Sequence, residues 1–226
     1  MPFSLTCHAL NSFAPLVIML ALTVSGAGLA NAASATSSSL SYAETSDKHF
    51  HPKGKPPSEH TLKVIRNARK TMPFTDNRDF EEAEKGFIAP LDSMVIKADA
   101  GHVAWDIKRY EFLSEGRDFD SIHPSLQRVS TLNQKTGLFE VVPGIYQVRG
   151  LDLANITFVR GKTGWIVFDP LTSLETARAG LELINKTLEN LPVTAVIISH
   201  SHGDHFGGVR GVVDPERLAA GKVEII

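Results

Sequence analysis

Thiols are almost absent from this 226-residue chain, whose one cysteine is Cys7. Beyond that position neither a disulfide framework nor a thiolate metal site can be built. Any metal must then be held by nitrogen and oxygen, which narrows the choice to zinc, iron or manganese on histidine and carboxylate ligands. Positive charge is scarce at the start, where no Lys or Arg precedes Lys48. Elsewhere the basic residues are scattered, with no run longer than Arg69-Lys70, and the formal net charge is −2. That leaves no basis for a phosphate-tracking face or a basic membrane-surface helix, so no nucleic-acid partner is expected. No internal repeat is found.

The apolar stretch 14–30 is rich in Leu, Val and Ala and ends in Ala30-Asn31-Ala32, a small-x-small cleavage pattern. Residues 1–32 are therefore expected to be a signal peptide and the protein to be secreted or periplasmic. The missing positive n-region argues the other way. An uncleaved anchor or a buried helix are the alternatives, weakened by Gly26, Gly28 and the short apolar length. Residues 33–60 are Ala/Ser/Thr-rich and then run through His51-Pro52-Lys53-Gly54-Lys55-Pro56-Pro57. They have too little apolar content to offset ordering entropy and read as a flexible arm. Its His49, His51 and His60 read as solvated side chains.

Downstream, helices are expected over 61–70 and 79–85, the second stopping at Gly86, a natural left-handed cap. Strands over 95–97 and 103–105 flank Asp99-Ala100-Gly101 as a hairpin. A helix over 126–133 is expected to end at Gly137. Strands follow over 139–142, 145–148, 156–159 and 165–168. Ser173 then caps an amphipathic helix on which Leu174, Ala177, Leu181, Ile184 and Leu188 recur at helical spacing. The continuous apolar run 193–198 is that of a strand covered on both faces. Asp214-Pro215 opens a further helix that Gly221 ends, and a strand begins within 222–226. Residues 61–136 thus read as an α+β segment and 137–226 as a layered α/β domain.

The chemistry concentrates in Ser199-His200-Ser201-His202-Gly203-Asp204-His205-Phe206-Gly207-Gly208. A buried strand runs out here into a glycine-punctuated loop at its C-terminal end, where open α/β sheets place ligands. His200 and His202 stand two apart, so in extended backbone both rings project to one side and suit a single metal. Gly203 is expected to permit a sharp turn, after which Asp204 and His205 face a second position nearby. Neutral imidazoles and a carboxylate are good zinc ligands. Zinc brings the pKa of a bound water down to about 7, and two adjacent metals can clamp a substrate's oxygens. Asp204 would then both ligate and accept a hydrogen bond from the nucleophile. Asp169 is either a group that fixes the metal loop from behind or an Asp closing a strand. His102 and His123 stand without company and read as surface or hairpin residues. Asn155 and Asn185 head Asn-x-Thr sequons inside expected regular elements.

The His200 to His205 segment resembles the metallo-β-lactamase superfamily, whose hallmark is His-x-His-x-Asp-His on such a loop. The flanks narrow the likeness. Thr71-Met72-Pro73-Phe74, Val103-Ala104-Trp105-Asp106, Tyr110-Glu111-Phe112-Leu113 and His123-Pro124-Ser125-Leu126 are similar to the N-terminal segment of the alkyl sulfatases. Gly144-Ile145-Tyr146-Gln147-Val148-Arg149-Gly150, Asp169-Pro170-Leu171-Thr172-Ser173 and His205-Phe206-Gly207-Gly208-Val209-Arg210-Gly211-Val212 continue the pattern. One departure is Gln127, where the family commonly shows Trp.

The resemblance implies a metallo-β-lactamase-type αβ/βα sandwich, first half only, preceded by an N-terminal α+β segment. It implies a secreted or periplasmic zinc hydrolase of linear alkyl sulfate esters such as dodecyl sulfate. His200 and His202 would hold one of two Zn2+ ions, Asp204 and His205 the other, with the remaining ligands downstream of Ile226. The full-length protein would be a homodimer, and this chain an incomplete fragment, inactive alone. Another two-zinc hydrolase, of a lactam, lactone, thioester or phosphoester, or a non-catalytic truncated product, are the alternatives.

Overall fold

The computed structural model of the chain describes residues 56–226. The expected signal peptide, Cys7 and the arm through residue 55, with His49 and His51, lie outside the described residues. Helix α1 (Glu59–Thr71) starts where the Ser58 hydroxyl accepts a hydrogen bond from the Thr61 backbone N–H at 3.2 Å. Residues 59–60, assigned to the arm from composition, are therefore helical, because the Ser-Glu start signal outweighs the proline-rich run before it. His60 is exposed on this helix.

Helix α2 (Arg78–Glu84) is followed by Gly86 at φ +71°, where an added Cβ would lie 2.0 Å from the Glu140 carbonyl oxygen. Strand β1 (Phe87–Ala89), too short for alternation to show in the sequence, pairs antiparallel with β4 (Gly137–Val142). The hairpin of β2 (Val95–Lys97) and β3 (Val103–Asp106) forms as expected, with His102 exposed in it. A 3-10 helix, Lys108–Ser114, and helix α3 (Pro124–Leu132) complete the segment. His123 is not a bare surface histidine: it caps α3, its Nδ1 accepting the Ser125 backbone N–H at 3.3 Å. Gln127 takes hydrogen bonds on both ends of its amide, accepting from the Phe119 N–H and donating to the Arg117 carbonyl. Gly137 does not end α3. It opens β4 at φ +134°, where a Cβ would meet the Ala89 carbonyl oxygen at 2.5 Å.

The main sheet has seven strands in the order β1-β4-β5-β6-β7-β8-β9. Strands β5 (Ile145–Arg149), β6 (Ile156–Arg160) and β7 (Trp165–Phe168) continue the antiparallel run. Strands β8 (Val193–Ile197) and β9 (Glu224–Ile225) add in parallel, because helix α4 (Leu174–Thr187) carries the chain back from β7 to β8. Since β1 lies in this sheet, residues 56–136 pack with residues 137–226 as one body.

Ile156 and Phe158 alternate with half-buried Thr157 and Val159, and Trp165 and Val167 with half-buried Ile166 and Phe168. The buried members pack against α4 with Leu138, Val148, Leu171 and Val196. Strand β8 departs from the sequence reading: Val193 and Val196 are buried, but Thr194, Ala195 and Ile197 are only half-buried.

Ser173 caps α4 in a capping box with Thr176. The buried stripe is Thr176, Ala177, Gly180, Leu183 and Ile184, shifted from the expected one. Gly180 sets the shift, since a Cβ there would lie 3.1 Å from Ile156 Cγ2 and the helix approaches the sheet along that line. Asn185 is spent inside the fold, accepting the Trp165 indole N–H at 2.8 Å, whereas Asn155 is an exposed loop residue. Leu183→Ala is expected to cost about 2–5 kcal/mol in chemical denaturation. Leu188→Ala, at a residue 37% exposed, should cost less than about 1 kcal/mol.

Candidate metal centre

Asp169 follows β7 and Ser199 to His202 follow β8, so both segments leave the C-terminal ends of neighbouring parallel strands. The turn after β7 is strained. Asp169 and Leu171 have φ of 53° and 60°, and the Leu171 N–H donates to the Asp169 carbonyl across Pro170 at 2.8 Å. Left-handed backbone at a non-glycine residue costs on the order of 1 kcal/mol. Leu171 offsets this by burying its side chain completely.

The turn is anchored by Asp152, only 8% exposed, a residue with no signal in the sequence reading. Its carboxylate accepts from the Thr172 N–H at 3.0 Å and the Thr172 hydroxyl at 2.7 Å. It also accepts from the Thr176 hydroxyl at 2.8 Å and the Leu153 N–H at 2.7 Å. A buried carboxylate is tolerable when hydrogen bonds replace its hydration in this way.

The histidine segment seats on the same turn through glycines. Gly203 opens the short helix α5 (Gly203–Phe206), followed by the 3-10 turn Val209–Gly211 and then α6 (Pro215–Ala219). The Gly208 N–H donates to the Leu171 carbonyl at 2.8 Å. Cβ atoms on Gly207, Gly208 and Gly211 would fall 2.2, 2.1 and 2.1 Å from the carbonyl oxygens of Thr172, Pro170 and Leu174. Gly203 does not play the part expected of it. Its φ is not left-handed, and a Cβ there would meet nothing within 4 Å. The chain turns by starting a helix, with His202 extended at its N-cap.

The expected residues are brought together. The ring centroids of His200 and His202 are 4.7 Å apart and those of His200 and His205 are 4.0 Å apart. His205 Nε2 faces Asp204 Oδ2 at 3.4 Å. His200 and His202 are exposed, whereas Asp204 and His205 are half-buried.

Asp169 stands behind them. Its Oδ1 accepts the Ser199 N–H at 2.8 Å, and its Oδ2 accepts the Ser199 hydroxyl at 2.7 Å and faces His205 Nδ1 at 2.9 Å. Burial pushes this carboxyl up, but the hydrogen bonds from Ser199 and His205 outweigh it and hold the pKa below the ordinary carboxylate value. Asp169 thus closes β7 in a turn and ties the start of the histidine segment and His205 to it, and Ser199 is the partner the sequence did not single out.

Among the described residues no three His, Cys, Asp or Glu side chains are arranged to enclose a metal ion. The four expected ligands are adjacent without converging, the His202 ring meeting that of His200 edge-on and the His205 ring meeting it tilted. Their chemistry nevertheless fits a divalent cation. With Nδ1 donating to Asp169, neutral His205 presents a bare Nε2 lone pair to the Asp204 carboxylate. Two acceptors at that separation repel unless a proton or a metal cation sits between them, and a divalent cation would meet that need.

Residues 149–225 match the profile of the Metallo-beta-lactamase superfamily. The chain is 50% identical over 172 residues to a linear primary-alkylsulfatase from Pseudomonas sp., covering 76% of this chain and 26% of that protein. It is 44% identical over 171 residues to an (R)-specific secondary-alkylsulfatase from Pseudomonas sp., with the same coverage. The chain is thus homologous over about three quarters of its length to alkylsulfatases, and its residues 149–225 to the metallo-β-lactamase superfamily.

The structure agrees. It superposes on that of a stereoselective inverting sec-alkylsulfatase from Pseudomonas sp. with a TM-score of 0.70 at 46% identity, covering 76% of this chain and 27% of that one. The chain spans about a quarter of the length of the curated relatives it matches. Its mixed α/β architecture is the one the sequence led us to expect.

The glycine seam makes a sharp prediction. Gly208→Ala should destabilise the protein by about 1–3 kcal/mol in thermal or chemical unfolding, since Pro170 and Ser173 must give way. Gly203→Ala should stay within about 0.5 kcal/mol of wild type.

Proposed function

We infer that this chain supplies a metal-binding part of a hydrolase acting on alkyl sulfate esters. The overall reaction is R–O–SO3⁻ plus water giving the alcohol, sulfate and a proton. The observation that carries the reading is the juxtaposition, beyond the end of β8, of His200, His202, Asp204 and His205 in a chain whose relatives are alkylsulfatases.

His200 and His202 would hold one zinc ion, and Asp204 and His205 a second. Bound zinc would polarise a sulfuryl oxygen and bring the pKa of water down to about 7. The protein's own groups do the rest. Asp204, half-buried, would accept a hydrogen bond from the attacking water and so hold it in place. Asp169 fixes His205 through Nδ1 and the start of the loop through Ser199. Identity favours a linear primary ester over a secondary one, at 50% against 44%. Export directed by residues 1–32 and a homodimer in a longer protein belong to the same proposal.

The test is alcohol release from dodecyl sulfate and from a secondary alkyl sulfate, with zinc content assayed in the same sample. It should be run on this chain and on any longer product of the same gene. The expected result is zinc-dependent turnover in the longer product, lowered at least about 100-fold by His200→Ala with loss of bound metal. Zinc binding with turnover only of a lactam, lactone, thioester or phosphoester would replace the substrate assignment. Absence of zinc from both proteins would end the metal assignment.

A further inference from the structure

Ser199 is exposed, yet both its backbone and its side chain are committed. Its N–H donates to Asp169 Oδ1 at 2.8 Å and its hydroxyl lies 2.7 Å from Asp169 Oδ2. The same hydroxyl lies 2.8 Å from His200 Nδ1. A serine hydroxyl carries one hydrogen, and a carboxylate oxygen can only accept. That hydrogen therefore goes to Asp169, and the Ser199 oxygen is left to accept from His200. His200 must then carry its proton on Nδ1 and leave Nε2 bare.

His205 reaches the same state by a shorter route, with Nδ1 2.9 Å from the same Asp169 oxygen. One carboxylate thus sets two rings, one directly and the other through a hydroxyl. The ring nitrogen that carries the proton is chosen by the hydrogen bond the other partner offers, and this choice decides which nitrogen can ligate.

We propose that Ser199 is a positioning residue that commits His200 to its Nδ1–H tautomer by relaying the Asp169 carboxylate. The tautomer follows from the hydrogen bonds alone. Its bearing on zinc rests on the reading of His200 as a ligand. Without the relay, His200 Nδ1 faces solvent, and histidine in water favours the Nε2–H form, which has no lone pair on Nε2. Ser199→Thr keeps a hydroxyl at the same place.

The experiment is long-range 1H–15N spectroscopy of the imidazoles in the metal-free full chain near pH 8, for wild type, Ser199→Ala and Ser199→Thr. The expected result is His200 as Nδ1–H in wild type and Ser199→Thr, and mainly Nε2–H in Ser199→Ala. His205, which contacts Asp169 directly, should stay Nδ1–H in all three and report that the fold is intact. Zn2+ affinity, read by competition with a chromophoric chelator, should fall about 10- to 100-fold in Ser199→Ala and recover in Ser199→Thr. A wild-type His200 in the Nε2–H form, or a Ser199→Ala variant with unchanged tautomer, would overturn the proposal. Wild-type protein that binds no Zn2+ would instead overturn the metal reading, leaving the spectra to decide the tautomer.

Discussion

The carboxylate of Asp169 is the contact on which the histidine loop depends. It sits one residue beyond β7 and receives the Ser199 N–H, the Ser199 hydroxyl and the His205 ring. The first two hold the start of the loop after β8, and the third holds the loop's last ligand-type residue after its helical turn. Both ends of a seven-residue segment are thereby tied to one side chain from the neighbouring strand. The carboxylate remains ionised more readily than an ordinary Asp because these donors outweigh its burial.

That placement needs a backbone most residues avoid. Asp169 and Leu171 both take left-handed φ, and the structure holds them there from two sides. On one side Asp152 gathers the Thr172 N–H and the hydroxyls of Thr172 and Thr176. On the other, Gly207, Gly208 and Gly211 approach the turn's carbonyls more closely than any Cβ would allow. The glycines after the histidines therefore act in packing: they let the loop sit flush on the strained turn. Leu171, fully buried between these supports, joins the turn to the core of β6, β7 and α4.

Much of this was legible in the sequence, for identifiable reasons. The short apolar runs of β6 and β7, parted by the Lys162-Thr163-Gly164 turn, and the Ser173 cap of α4 are local signals, and local signals survived folding. The four ligand-type residues were legible because their order and spacing at a strand end are not what solvation requires. What escaped were properties of the assembled body. The buried stripe of α4 moved because Gly180 brings the helix onto Ile156. Gly137 joined a strand through β1, which lies elsewhere in the chain. Gly203 was assigned a conformational duty that the helical start of α5 removes. Asp152 and Ser199 carry no motif of their own, and only their hydrogen bonds reveal them.

The fold thus brings three imidazoles and two carboxylates to the edge of one sheet, with His205 Nε2 facing Asp204 Oδ2 at 3.4 Å. The most direct test is a crystal structure of zinc-soaked protein with anomalous data collected on both sides of the zinc absorption edge. The account predicts an anomalous peak beside Asp204 and His205, and another beside His200 and His202. Zinc located only at other residues, or absent from this edge when zinc is bound elsewhere in the crystal, would contradict it.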